Sequence, residues 1–198
     1  QWTSNADYMN AGTFNNMYAT GFTVKEPVTI TACDFNVNAW VYNTGTEGIG
    51  TVTFTIYGST YNNGGYIANT SARKGTLTAK CSVTGTNQNA FNVYTAEGSV
   101  TLDPGLYFIT MTQYAKSGAD MGFKVGRGSS NISTNTVDDA TGNILQYTTM
   151  ANGNNPNQQG CGGHAFNIKF QTKQGFCDRI KIPISEECPC TQPKAVTI

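Results

Sequence analysis

Thr51-Val52-Thr53-Phe54-Thr55-Ile56-Tyr57 alternates hydroxyl and apolar side chains without a break. Successive side chains of an extended chain point to opposite faces, so Val52, Phe54 and Ile56 share one side and Thr51, Thr53 and Thr55 the other. That is a strand with one buried and one wet face. The alternation returns in His164-Ala165-Phe166-Asn167-Ile168-Lys169-Phe170-Gln171, which predicts Phe166, Ile168 and Phe170 inward, Asn167, Lys169 and Gln171 outward, and His164 on the inward side. Further strand candidates are Val28–Ala32, Val37–Tyr42, Leu77–Val83, Phe91–Thr95, Ser99–Leu102, Leu106–Gln113, Met121–Val125, Ile144–Thr149 and Arg179–Ile184. No stretch holds a 3.6-residue apolar period over three turns. Short strands at this spacing without helices predict an all-β chain, an antiparallel β-sandwich of jelly-roll type.

Turn-forming residues separate the strands: Asn43-Thr44-Gly45, Asn62-Asn63-Gly64-Gly65, Asp103-Pro104-Gly105, Gly126-Arg127-Gly128 and Gly160-Cys161-Gly162-Gly163. Each supplies the positive or preset φ that a reversal needs. Gly58–Lys74, Ser129–Asn143 and Ala151–Gly163 read as long irregular segments, the kind that carry function or remain disordered. Past Thr172 the cysteines and prolines crowd together, so residues 1–173 are expected to form the sandwich. Residues 174–198 are expected to form a Cys/Pro-rich extension, or the start of a following immunoglobulin-like module.

Asn, Thr and Gly supply 72 of the 198 residues, whereas the charged residues number 24 and balance to a net charge of zero. No basic run is present to neutralise phosphates, which argues against nucleic acid and anionic membranes as partners. No apolar stretch approaches the roughly 18 residues needed to span a bilayer. The six cysteines, Cys33, Cys81, Cys161, Cys177, Cys188 and Cys190, are an even set in a chain of extracellular character, and disulfides are the expected state. Their 15 possible connectivities stay open. Cys188-Pro189-Cys190 is too tight for a zinc knuckle.

Two stretches resemble known families. Phe54-Thr55-Ile56-Tyr57, a Gly/Asn-rich interval and then Leu102-Asp103-Pro104-Gly105-Leu106-Tyr107 resemble the core of secreted jelly-roll modules. Such modules occur in bacterial pre-peptidase C-terminal domains, carbohydrate-binding modules and phage receptor-binding proteins. Gly175-Phe176-Cys177-Asp178-Arg179-Ile180-Lys181-Ile182-Pro183-Ile184 resembles the end of immunoglobulin-like repeats in Bacteroidetes surface proteins exported by type IX secretion, with a departure in the Cys-to-Arg spacing. The resemblances imply a noncatalytic module, secreted or on the cell surface, within a larger multidomain chain.

The chemistry-bearing residues point the same way. With one histidine, at the inward phase of a strand, a packed imidazole is expected rather than a catalytic base. No Gly-x-Ser-x-Gly elbow is present. Asp138-Asp139 and Glu186-Glu187 are sequence neighbours, whereas glycosidases place two carboxylates about 5–10 Å apart across a cleft. Asp138, Asp139 and Asn143 are candidate ligands for a structural calcium ion, with a solvated Asp/Asn turn as the competing account; no other cofactor is expected.

Aromatic rings stack on the C–H faces of sugars while amides take their hydroxyls, so Tyr61, Asn62, Asn63, Tyr66, Tyr114 and Tyr147 are the candidate ligand-binding residues. Trp40 is expected in the core. The expected function is that of a noncatalytic carbohydrate-binding or adhesive module whose partner is a polysaccharide or cell-surface glycan. The alternatives are a structural spacer or self-assembly module and, third, a secreted glycoside hydrolase.

Overall fold

The computed structural model describes residues 2–14, 18–62, 64–128, 144–147, 151–152 and 163–172. Its strands are β1 (Trp2–Tyr8), β2 (Gly12–Thr13), β3 (Tyr18–Val24), β4 (Val28–Val41), β5 (Gly48–Asn62), β6 (Gly65–Val83), β7 (Asn92–Leu102), β8 (Gly105–Gly118), β9 (Met121–Gly128), β10 (Leu145–Tyr147), β11 (Ala151–Asn152) and β12 (Ala165–Thr172). Among the described residues there is no helix, as the absence of a 3.6-residue period predicts. Every pairing is antiparallel, in the order β1-β9-β4-β7-β6-β5-β8-β3-β10, with β2 on β8, β11 on β3 and β12 on β4.

The sheet curls until its two halves face each other. β6 meets β7 only at Leu77↔Gly98 and Thr78↔Glu97. The approach there is so close that a Cβ on Gly98 would stand 2.5 Å from the Thr76 carbonyl oxygen, so this position requires glycine. Curling brings Phe35 of β4 to 5.1 Å from Phe54 of β5 and stacks Tyr114 of β8 on Phe123 of β9 at 4.4 Å, although neither pair lies on hydrogen-bonded strands. One continuous apolar core fills the space between the halves. Each large side chain removed from water there contributes about 1.5–3 kcal/mol.

Val52, Phe54 and Ile56 are fully buried, as their phase predicts. Asp103-Pro104-Gly105 turns the chain from β7 into β8, and the Tyr107 hydroxyl donates to the Asp103 carbonyl at 2.8 Å across the reversal. Other expectations are corrected. Val28–Ala32 and Val37–Tyr42 are expected as two strands but belong to one, β4, which ends at Val41 and carries a bulge between Ile30 and Ala32. Gly126-Arg127-Gly128 is the end of β9 and not a turn. In β12 the residue that reaches the core beside Ile168 is Ala165 rather than Phe166, because Asn167 adopts a left-handed φ of 46° within an irregularity of the β12–β4 pairing.

Cys33 and Cys81 are corrected too: both are buried free thiols rather than halves of disulfides. Each points into the core as a small apolar group, and burial pushes both thiols upward, Cys81 to about 12. Cys161, Cys177, Cys188 and Cys190 lie outside the described residues, as do Asp138, Asp139, Asn143 and residues 174–198.

Candidate functional site

Gly58–Lys74, expected as an irregular loop, is instead a hairpin arm built from the ends of β5 and β6. Tyr61 pairs with Tyr66 and Asn62 with Gly65, and Gly64 supplies the turn with a φ of 90°. Directly paired residues project to the same face of a hairpin, so the two phenol rings meet there, 5.3 Å apart and edge to face. They remain 65% and 53% exposed, with Asn62 exposed beside them. At the arm's base the pairing passes from Tyr57↔Arg73 to Ser59↔Ala68, and the extra β6 residues form an irregularity there. Ala68 packs with Ala19 and Phe108 in a small second apolar cluster, joined by Tyr57 and Leu106, which fastens the arm to the outer side of β3 and β8.

Of the candidate ligand residues, Tyr61, Asn62 and Tyr66 come together at this tip; Asn63 lies outside the described residues. Tyr114 and Tyr147 do not join them. Tyr114 is fully buried against Phe123, and burial drives its phenol far above the ordinary range. The Tyr147 hydroxyl accepts the Ile168 N–H at 2.8 Å inside the protein. Neither ring has a face to offer a ligand.

A second aromatic group, unforeseen from the sequence, lies on the outer face of β4 and β9. Val37 and Val41 point into the core, so Asn38, Trp40 and Tyr42 point away from it. Trp40 lies over Gly122, its partner across β4–β9, with Tyr8 at 6.2 Å and Tyr42 at 6.4 Å, both edge-on. The hydroxyls of Tyr8 and Tyr42 share a hydrogen bond of 3.2 Å, which holds the Tyr42 phenol above its ordinary pKa. The Lys124 ammonium stands 5.3 Å from the indole centroid. Tyr8 and Tyr42 are half exposed, whereas Trp40 beneath them is buried. Among the described residues its Nε1 and the Asn38 Oδ1 both lack hydrogen-bond partners. Trp40 is thus buried, as expected, but on the outside of the sheet; an alternation count started at Val37 finds its face.

His164 is fully buried just before β12, although the phase it shares with Phe166 is not the one that reaches the core. Its Nε2 stands 2.8 Å from Asp7 Oδ2, while Asp7 Oδ1 takes Arg127 at 2.8 Å. Tyr18 covers both partners, with its ring 4.5 Å below the guanidinium and edge-on to the imidazole. This ion cluster ties β1, β9 and β3 to the entry of β12. His164 Nδ1 has no hydrogen-bond partner, so no described hydroxyl or thiol is poised to give it a proton.

Asp34, next to Cys33, forms a second tie. It accepts from Thr95 of β7 at 2.7 Å, from Lys169 of β12 at 3.0 Å, and from the Asn167 amide. Burial alone would raise its pKa, but these hydrogen bonds and the Lys169 charge outweigh it and hold the carboxyl below its ordinary value. Among the described residues no three His, Cys, Asp or Glu side chains gather as metal ligands. No family model, curated protein or solved structure matches the chain.

Proposed function

We propose that the protein is a noncatalytic carbohydrate-binding or adhesive module, working outside the cell as part of a larger chain and holding glycan by ring stacking and neutral hydrogen bonds. The observation that carries this reading is the Tyr61–Tyr66 pair: two phenol rings held at a hairpin tip, more than half exposed, with the Asn62 amide beside them. Tyr rings present a flat apolar face with a polar tip, and a pyranose offers both the apolar face and the hydroxyls that this tip can satisfy. The curled antiparallel sheet suits a jelly-roll classification, in which loops and hairpins present binding groups from a rigid core.

A panel of neutral and acidic polysaccharides, screened by affinity electrophoresis, tests the reading. Tyr61→Ala and Tyr66→Ala are each expected to weaken the wild-type interaction at least several-fold with the fold intact, since loss of an aromatic anchor commonly removes more than about 1 kcal/mol. Absence of binding across the panel overturns the proposal.

One observation favours the alternative of a self-associating structural module. Among the described residues β6 pairs with β7 only at Leu77 and Thr78, which leaves the rest of its outer edge open to strand addition by a second copy. Arg73 and Lys74 on that segment oppose close approach of a like edge, which ranks this reading second. Concentration-dependent association by light scattering, together with an empty glycan screen, would reverse the order.

A further inference from the structure

We propose that Tyr8, Trp40, Tyr42 and Lys124 form a second saccharide-binding surface, separate from the hairpin tip and selective for an acidic saccharide; the proposal rests on the glycan-binding reading above. Four observations converge on the outer face of β4 and β9. Tyr8 and Tyr42 expose about half of their surface on either side of Trp40. Gly122 beneath the indole carries no side chain, and a Cβ there would fall 2.1 Å from Trp40 Cζ2, so the ring is seated by the absence of that atom. One donor, Trp40 Nε1, and one acceptor, Asn38 Oδ1, are buried on this face without partners among the described residues. Both atoms are covered in the free protein, so they mark a polar floor beneath the rings rather than an open contact, and the hydroxyls that a sugar meets at the surface are those of Tyr8 and Tyr42.

The fourth observation sets the charge of the ligand. Among the described residues Lys124, like Arg73, Lys74 and Lys80, forms no salt bridge, but it alone of these stands over an aromatic ring, 5.3 Å from the indole centroid. A sugar ring laid against Tyr8 and Tyr42 would bring an acidic substituent to that ammonium. The face then supplies stacking, hydroxyl partners and one countercharge, the three requirements of an acidic glycan.

The test uses polygalacturonate and a neutral polysaccharide of similar length as probes, with wild-type, Tyr42→Ala, Lys124→Met and Tyr61→Ala proteins, all in a Trp2→Phe background where Trp40 is the remaining indole. Polygalacturonate is expected to shift Trp40 emission. Tyr42→Ala is expected to weaken its binding at least five-fold, and Lys124→Met to abolish both the preference over the neutral probe and the salt dependence. Tyr42→Phe, which keeps the ring, should retain most of the affinity. Binding that leaves Trp40 emission unchanged, or that falls only in Tyr61→Ala, overturns this inference and leaves the hairpin-tip reading standing. Equal binding of both probes with Lys124→Met unchanged overturns the acidic selectivity, and no binding of any glycan overturns both proposals.

Discussion

The indole of Trp40 lies flat on Gly122, its partner across the β4–β9 ladder, close enough that the smallest side chain would collide with two of its ring carbons at 2.1 and 2.2 Å. Gly122→Ala must therefore lift the indole off the sheet and break its edge contacts with Tyr8 and Tyr42. Overpacking of this kind costs about 1–3 kcal/mol, and the newly wetted indole should emit at longer wavelength. Denaturant titration followed by Trp fluorescence in a Trp2→Phe background checks both; unchanged stability and emission would show that the ring is seated elsewhere.

How far the sequence discloses this architecture depends on whether each strand keeps a single phase. Thr51–Tyr57 does, and all of its inward residues are buried. In β8 the inward set Tyr107, Ile109 and Met111 is followed by Tyr114, because the pairing with β5 slips one residue between Thr53 and Phe54. A strict count of two places Tyr114 on the outside, and only the slip turns it into the core. The slip at Asn167 misplaces Phe166 in the same way. A bulge is a pairing event between strands, and one strand's composition carries little trace of it.

Strands without a wet face, or without a dry one, escape the same reading. β3 is covered on both sides over Ala19–Phe22, so the small or polar Ala19, Thr20 and Gly21 are buried there and only Phe22-Thr23-Val24 is left to alternate. The arm, by contrast, is largely exposed beyond its base, and its Gly and Asn residues imitate a loop. The hairpin tip was nonetheless legible from Tyr61 and Tyr66 flanking Asn62-Asn63-Gly64-Gly65. The Tyr8–Trp40–Tyr42 group was not, since it joins residues from strands far apart in the chain.

Asp34 links β4, β7 and β12, so Asp34→Ala should strip hydrogen-bond partners from Thr95, Asn167 and Lys169 at once. A loss of about 1–3 kcal/mol is expected, with Lys169 contributing little because its ammonium is half exposed. The pH dependence follows from the sign of the shift. A carboxyl held below its ordinary value of 3.8 in the folded state adds stability that is fully present above that value and is lost as pH falls through the lower folded pKa. Asp34→Asn should therefore flatten the acid limb of the stability curve below pH 3.8, measured by thermal unfolding; an acid limb as steep as that of the wild type would remove Asp34 from this role.

The thiols of Cys33 and Cys81 are buried and pushed toward the protonated form, so neither is a competent nucleophile in the folded protein. Iodoacetamide at pH 8 should leave both unmodified under native conditions and modify both in guanidinium without reductant, as read from peptide masses. A bridge between them would leave both peptides unmodified even after unfolding, and rapid native labelling would contradict their burial.

Two buried phenols separate packing from hydrogen bonding within one strand. Tyr107 donates to the Asp103 carbonyl and closes the turn into β8, so Tyr107→Phe removes a satisfied hydrogen bond and should cost about 0.5–1.5 kcal/mol. The Tyr114 hydroxyl is buried with no partner among the described residues, so Tyr114→Phe removes an unpaired polar group while the ring stays stacked on Phe123. That variant should match or exceed the wild type in stability. Tyr114→Ala, which empties the core beside Phe123, should lose about 3–5 kcal/mol. Glycan affinity should be unchanged in Tyr114→Phe, since the ring has no exposed face. Measured by denaturant unfolding, a Tyr114→Phe protein less stable than Tyr107→Phe would mean that the Tyr114 hydroxyl has a partner after all, and the assignment of this ring as pure packing would fail.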